Sequence, residues 1–186
     1  MTGDQAAALP AFRYHPDPVA TGSVVPEAGR CGACGKERSH RYVGPSYGDE
    51  DPPEALCPWC IADGTAAERF GLLFTDILAR DDWSALTAQL RDELLHRTPG
   101  FSGWQPERWL PHHGVPAVYL GPQGIDDLRL LGPDAVEAVR AEAAGSGLPP
   151  DAVDGWMAAL ARDRSPTAYL FRCETCSAYV GYSDDR

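Results

Sequence analysis

The spacing of hydrophobic and polar positions divides the chain into helical repeats and short alternating stretches. After residue 60, Ala66, Ala67, Phe70, Leu73, Phe74, Ile77 and Leu78 recur at helical spacing, with Gly71 as a candidate break. A second helix is expected over 83–97, where Trp83, Leu86, Leu90 and Leu94 share a face. Asp82 can cap its start, and Pro99-Gly100 stops it. Pro133 opens a third helix that ends near Gly145. After a connector at 145–150, a fourth carries Val153, Trp156, Met157 and Leu160 and stops before Ser165-Pro166.

The extended stretches are shorter. Two prolines exclude a helix from 12–18, and a hairpin is expected around Arg41–Tyr47. A Pro/Gly/Trp-rich loop over 99–115 precedes a strand at Ala117–Leu120, and Tyr169–Arg172 and Ala178–Tyr182 alternate as two further strands. Segregated helices and short antiparallel strands predict an α+β fold.

Composition narrows the function classes. Within 186 residues, 44 % hydrophobic content with 5 Trp, 7 Tyr and 5 Phe is enough for a buried core. No run of eighteen or more apolar residues occurs, and the start MTGDQAAALP has neither the basic beginning nor the apolar stretch of a secretory signal, so a cytoplasmic protein is expected. Formal net charge is −11, with 16 Lys+Arg against 27 Asp+Glu. That balance argues against nucleic-acid binding, since phosphate contacts need clustered cations. The most basic stretch, Lys36-Glu37-Arg38-Ser39-His40-Arg41, is short and contains the single lysine.

The six cysteines change the picture most. All fall into C-x-x-C pairs: Cys31/Cys34, Cys57/Cys60 and Cys173/Cys176. The first two pairs are 22 residues apart, close to the spacing of four-cysteine zinc sites. Two thiolates three residues apart can grip one face of a tetrahedral zinc, and a second pair closes the shell. Gly32 and Gly35 suit the tight knuckle around the first pair, and Pro58 sits where the second pair opens a helix. Knuckle, hairpin and helix in that order resemble a treble-clef finger. The competing reading is thiol–disulfide chemistry at Cys57-Pro58-Trp59-Cys60, because a C-x-x-C at a helix N-terminus has a lowered thiol pKa. The segment before it, Gly48 to Glu54, is acidic and broken by proline, unlike the buried strand such a site needs.

The third pair supplies two ligands at a hairpin tip. His112 and His113, flanked by Pro111 and Gly114, are the candidates to complete a second zinc site, with His96 in reserve. His96 also suits the C-terminal end of its helix without any metal. Phe101, Trp104, Trp109 and Tyr119 either line a pocket or form core. Asp49, Glu50, Asp51, Asp126 and Asp127 read as solvated loop acids. No nucleotide-binding, serine-hydrolase or zinc-protease motif occurs.

Several segments resemble the CbrC family: Leu9-Pro-Ala-Phe-Arg-Tyr-His-Pro-Asp-Pro18 with Thr21-Gly22, Cys57-Pro-Trp-Cys-Ile-Ala-Asp-Gly64, His96-Arg-Thr-Pro-Gly-Phe101 with Trp104-Gln105, and Tyr169-Leu-Phe-Arg-Cys-Glu-Thr-Cys176. The resemblance runs from about Leu9 onward. It implies a small bacterial protein without an established biochemical activity, associated by family name with tolerance to a DNase colicin. Relatives carry cysteines near His113 and Ala117, so the resemblance implies that His113 keeps a ligand position and Ala117 does not. Ser177 stands where knuckles usually carry Gly.

The expected organisation is a flexible tail at 1–11, a treble-clef-like zinc module over 12–80, and a mixed region over 81–186 packed with it as one unit. The expected function is a non-catalytic zinc-binding protein that acts through protein contacts, with no nucleic-acid or membrane partner, in bacteriocin or stress tolerance. Two alternatives stand beside it: a metalloenzyme with an open zinc position at the second site, and a thiol–disulfide oxidoreductase using Cys57 and Cys60.

Overall fold

The computed structural model describes residues 8–49, 51–76 and 81–186, with the side chains of Asp81 and Asp82 left aside. The chain forms two compact units, one through Ser102 and one from Gly103 to Arg186. In order, the elements are β1 (Val24–Val25), β2 (Gly29–Arg30), β3 (Glu37–Arg38), β4 (Arg41–Tyr42), α1 (Pro58–Ala62), α2 (Thr65–Phe70), a 3-10 turn (Asp81–Ala85) and α3 (Ala88–Arg97). The second unit holds β5 (Pro111–His112), β6 (Val115–Pro116), β7 (Val118–Gln123), α4 (Ile125–Leu131), α5 (Pro133–Gly145), α6 (Val153–Ala159), β8 (Thr167–Arg172) and β9 (Tyr179–Asp184). The fold is mixed α+β with small antiparallel sheets. Among the described residues no helix is long and apolar enough to cross a membrane.

In the first unit, Phe12, Val24, Tyr42, Leu56, Ile61, Leu72 and Phe74 form one core with Cys31, Cys57 and Cys60. The helical repeat after residue 60 is cut into α1 and α2, because Gly64 and Gly71 take positive φ of 82° and 62°. Ile77 and Leu78, expected to extend it, lie outside the described residues. The expected hairpin at 41–47 does not form. Arg41 and Tyr42 pair instead with Val25 and Val24, while β2 and β3 make a hairpin around the first cysteine pair. The helix expected from residue 83 begins at Ala88, and its cap is Thr87, whose side chain accepts from the Leu90 N–H. Trp83 and Leu86 are buried ahead of it, at or just after the 3-10 turn.

Gly100 lies where the chain leaves α3, with its N–H donating to the Tyr42 hydroxyl at 3.1 Å. A Cβ there would come within 1.9 Å of the Phe74 carbonyl oxygen, so backbone would have to move. Gly100→Ala is expected to cost about 1–3 kcal/mol, read as a lower denaturant midpoint.

His15 is fully buried in the same unit. Its Nδ1 lies 2.7 Å from the Pro99 carbonyl, which can only accept, so Nδ1 carries the proton and Nε2 accepts from Thr21 Oγ1 at 2.6 Å. Burial pushes its pKa down to about 4 against the weaker pull of the Pro99 carbonyl and Asp17. A lowered folded-state pKa favours the neutral ring, so its contribution is full above the unfolded value of about 6.5 and is lost as pH falls from there towards 4. By NMR, the His15 ring should stay neutral through pH 5; a midpoint near 6.5 would contradict this account.

In the second unit β7, β8 and β9 form an antiparallel sheet with β8 central. The strand Thr167–Arg172 is apolar on both faces, as a central strand covered on both sides requires. Ala168 and Leu170 pack with Leu128, Ala135, Val139, Met157 and Leu160 from α4, α5 and the α6 region. On the other face Tyr169 stacks on its cross-strand partner Tyr182 with ring centres 5.0 Å apart, and Phe171 lies 5.1 Å from its partner Tyr119. Trp109 closes this group, 5.8 Å from Phe171 and 6.0 Å from Tyr119. Trp109 and Tyr119 are therefore core.

Helix α4 replaces the loop expected at Asp126 and Asp127. Asp127 accepts the Gly124 N–H at 2.8 Å and pairs with Arg162, which holds its carboxyl below the usual range. Asp49 and Asp51 are exposed as expected, and Glu50 lies outside the described residues. Helices α5 and α6 match the expected third and fourth helices, although α6 ends at Ala159, six residues before Ser165.

Candidate metal centres

Two groups of four donors come together. The first is Cys31, Cys34, Cys57 and Cys60; the second is His112, His113, Cys173 and Cys176. In each group the donor atoms lie within 4.8 Å of one another. All six cysteines are free thiols, with no disulfide among them.

The first centre is assembled from a knuckle and a helix start. Around Cys31 the chain turns back so that the Gly35 N–H donates to the Cys31 carbonyl at 2.8 Å and the Cys31 N–H donates to the Lys36 carbonyl at 2.9 Å. Gly35 takes φ 68°, the left-handed conformation this turn needs. The Gly32 N–H donates to the Ala55 carbonyl at 2.8 Å and ties the knuckle to the strand-like approach of Cys57. Pro58 is the first residue of α1, so Cys57 stands at the helix N-cap and Cys60 one turn along. Cys31, Cys57 and Cys60 are buried and Cys34 is half-buried.

The distances fit one tetrahedral ion. Sulfurs around zinc at about 2.3 Å would lie about 3.8 Å apart. Cys31 Sγ and Cys60 Sγ are 3.9 Å apart, far beyond the roughly 2 Å of a disulfide. Electrostatics agree. Hydrogen bonding from the Cys57 thiol, then from the backbone N–H groups of Cys34, Cys57 and Ala33, pulls Cys31 down to about 4 against burial. Cys57 is pushed up by its bond to Cys31 and by burial, and burial first of all lifts Cys60 to about 12. A divalent ion set among these thiols would favour the thiolate form and expel protons.

The second centre repeats the knuckle. The Ser177 N–H donates to the Cys173 carbonyl at 2.9 Å and the Cys173 N–H to the Ala178 carbonyl at 2.9 Å, the same two bonds that Gly35 and Lys36 make with Cys31. Ser177 occupies the left-handed position with φ 61°, where the first knuckle has Gly35. The backbone geometry is kept although the glycine is not. Burial raises the Cys173 thiol, but the His112 ring, the N–H groups of Cys176 and Thr175, and the Cys176 side chain outweigh it and bring it to about 6.

The imidazoles come from the β5–β6 hairpin. His112 pairs with Val115 across a two-residue turn of His113 and Gly114, both at positive φ of 54° and 71°. Adjacent residues on an extended strand point to opposite faces. The left-handed backbone at His113 swings its ring back, leaving the two ring centres 4.2 Å apart. His112 Nδ1 lies 3.7 Å from Cys176 Sγ, against about 3.6 Å for a nitrogen and a sulfur sharing a tetrahedral zinc. His96 is not in this group. It sits on α3 in the first unit, with Nδ1 2.8 Å from Asp92.

Sequence reasoning missed the support beneath the hairpin. Trp109 Nε1 donates to the Ala117 carbonyl at 2.9 Å, and the Ala117 N–H donates to the Leu110 carbonyl at 3.0 Å, fixing both strands at their base. An aromatic just ahead of a histidine pair was the available signal. In the basic stretch at 36–41, Lys36 is exposed while Arg38 is buried, its guanidinium 4.8 Å from the Trp59 ring centre.

Fold and sites together define a small α+β protein with two Cys/His clusters of metal-binding geometry. The chain belongs to UPF0167, an uncharacterised protein family, whose profile matches residues 9–185. It is 46 % identical over 178 residues to UPF0167 proteins of Mycobacterium bovis and Mycobacterium tuberculosis, covering 95 % of this chain and 93 % of each of theirs. A UPF0167 protein of Pseudomonas aeruginosa is 41 % identical over 129 residues, which is 69 % of this chain and 72 % of that one. No solved structure gives a significant match.

Proposed function

We propose that this is a non-catalytic zinc-binding protein in which each cluster holds one zinc, the first as a treble-clef-like structural centre, and that it acts through protein contacts. The observation that carries this reading is the pair of four-donor groups, each with one donor separation close to that around a tetrahedral zinc. Four protein ligands fill the shell and leave no position for a substrate. The free thiols suit a reducing cytoplasm, where zinc rather than a disulfide would claim them. Cys57 and Cys60 share their cluster with a second thiol pair, and as zinc ligands they would not exchange disulfides. The resemblance to the CbrC family supplies the process in which such contacts would act, tolerance to a DNase colicin or a related stress.

Metal analysis with X-ray absorption tests the reading. Two zinc ions per chain, with an average shell of three sulfurs and one nitrogen, is the expected result. A shell at the second centre with three protein ligands and a water would favour the metalloenzyme instead. The acidic balance predicts no tight DNA binding, so a mobility shift at low salt should show none below micromolar protein.

A further inference from the structure

We propose that the second centre is an exchangeable zinc site, one that takes its metal from and yields it to a competing thiolate- or imidazole-bearing ligand, while the first centre keeps its own. The inference rests on the reading that both clusters hold zinc and adds what separates them. Zinc passes between ligand sets by exchange: an incoming donor forms one bond to the ion as a resident donor leaves. No electron moves and zinc stays divalent; an incoming thiol gives up its proton as it binds, a departing thiolate takes one up, and a departing imidazole leaves as the neutral ring. Such exchange needs a resident donor at the surface.

The second centre offers two. Cys176 and His113 are exposed, His112 is half-buried, and only Cys173 is buried. In the first centre three donors are buried and none is exposed. Their surroundings differ in the same sense. Cys31, Cys57 and Cys60 belong to the core of the first unit, so releasing their ion disturbs Leu56, Ile61 and Phe74. His113 sits in the turn between two-residue strands and His112 ends the first of them, outside the three-stranded sheet, so the His113 imidazole can leave without breaking a long ladder.

The second centre is also held in shape by its own backbone. His113 and Ser177 keep left-handed φ values of 54° and 61°, which residues with side chains seldom adopt, and each serves to place a donor pair. The knuckle bonds at Cys173 and the Trp109 anchor under the hairpin do the same without metal. A preformed and exposed donor set lets an ion enter and leave without refolding the chain around it.

The test uses the full chain loaded with two zinc ions and the chromophoric chelator pyridylazoresorcinol. One equivalent should leave in a fast phase with the melting curve unchanged, and the other should stay until the protein unfolds. His113→Ala and Cys176→Ser should each abolish the fast phase. Alkylation of the native protein after that phase should label the exposed Cys176, spare Cys31, Cys34, Cys57 and Cys60, and be blocked again by added zinc. Release of both ions at one rate, or labelling of the first four cysteines in the fast phase, overturns the proposal while leaving two zinc ions in place. A chain that holds one zinc and takes up no second overturns it together with the reading it rests on.

Discussion

Cys57→Ser is expected to yield protein that is insoluble, or that is recovered without its first zinc and with the first unit unfolded. Cys57 stands where α1 begins, in contact with the core residues that surround the cluster. A serine hydroxyl is a poor zinc ligand and would leave three thiols and an unpaired polar group in that core. Structural zinc contributes on the order of 10 kcal/mol in small modules, more than the entire net stability of many domains. Packing cannot make up the difference, because the stretch between Pro26 and Cys60 has few large apolar side chains. Metal content, far-ultraviolet circular dichroism and thermal melting check this. A folded variant with unchanged zinc and an unchanged midpoint would show that the four thiols are not a structural centre.

Trp109→Ala is the second large effect, and it tests the hairpin that carries the imidazoles. Trp109 is buried against Tyr119 and Phe171, and truncating a buried aromatic costs about 3–5 kcal/mol. The variant should therefore melt well below the parent. It also loses the bond from Nε1 to the Ala117 carbonyl, so the β5–β6 hairpin should loosen and zinc at the second centre should bind more weakly. Trp109→Phe keeps most of the packing and removes only the donor, so it should retain most of the stability while still weakening the second zinc. Equal zinc affinity in both variants and the parent would show that the hairpin does not depend on this anchor.

Local signals in the sequence carried furthest where chemistry and conformation coincide. Pro133 and Gly145 bracket α5, and a strand is found where the Tyr169–Arg172 stretch predicts one, although residues 167–171 are buried in a row instead of alternating. The cysteine pairs announce the knuckles by spacing alone. What was not legible depends on partners far along the chain or on caps without the usual residue. Arg41 and Tyr42 find Val24 and Val25 rather than Tyr47, a pairing that no local pattern encodes. Helix α4 starts at Gly124, which has no capping side chain; Asp127 reaches back to its N–H instead, so the helix reads as a loop of acids. Trp83 and Leu86 continue the spacing of α3 across a break that Thr87 makes. The histidine pair was legible as a candidate, but that both rings face one side follows from the φ of His113, which residue type alone does not reveal.

The division of donors between the two units also sets an order in time. All four ligands of the first centre precede Ser102, so a growing chain carries them before any of the second unit has been made. The ligands of the second centre are split around α4, α5 and α6, and its knuckle appears only after β8. Since domains fold as they emerge during synthesis, a zinc bound as proposed at the first centre could be captured by a nascent chain, whereas one at the second would wait for nearly the whole of its unit. A shortage of zinc during translation would therefore be felt first as failed chains, and a shortage afterwards as finished chains lacking only the second ion.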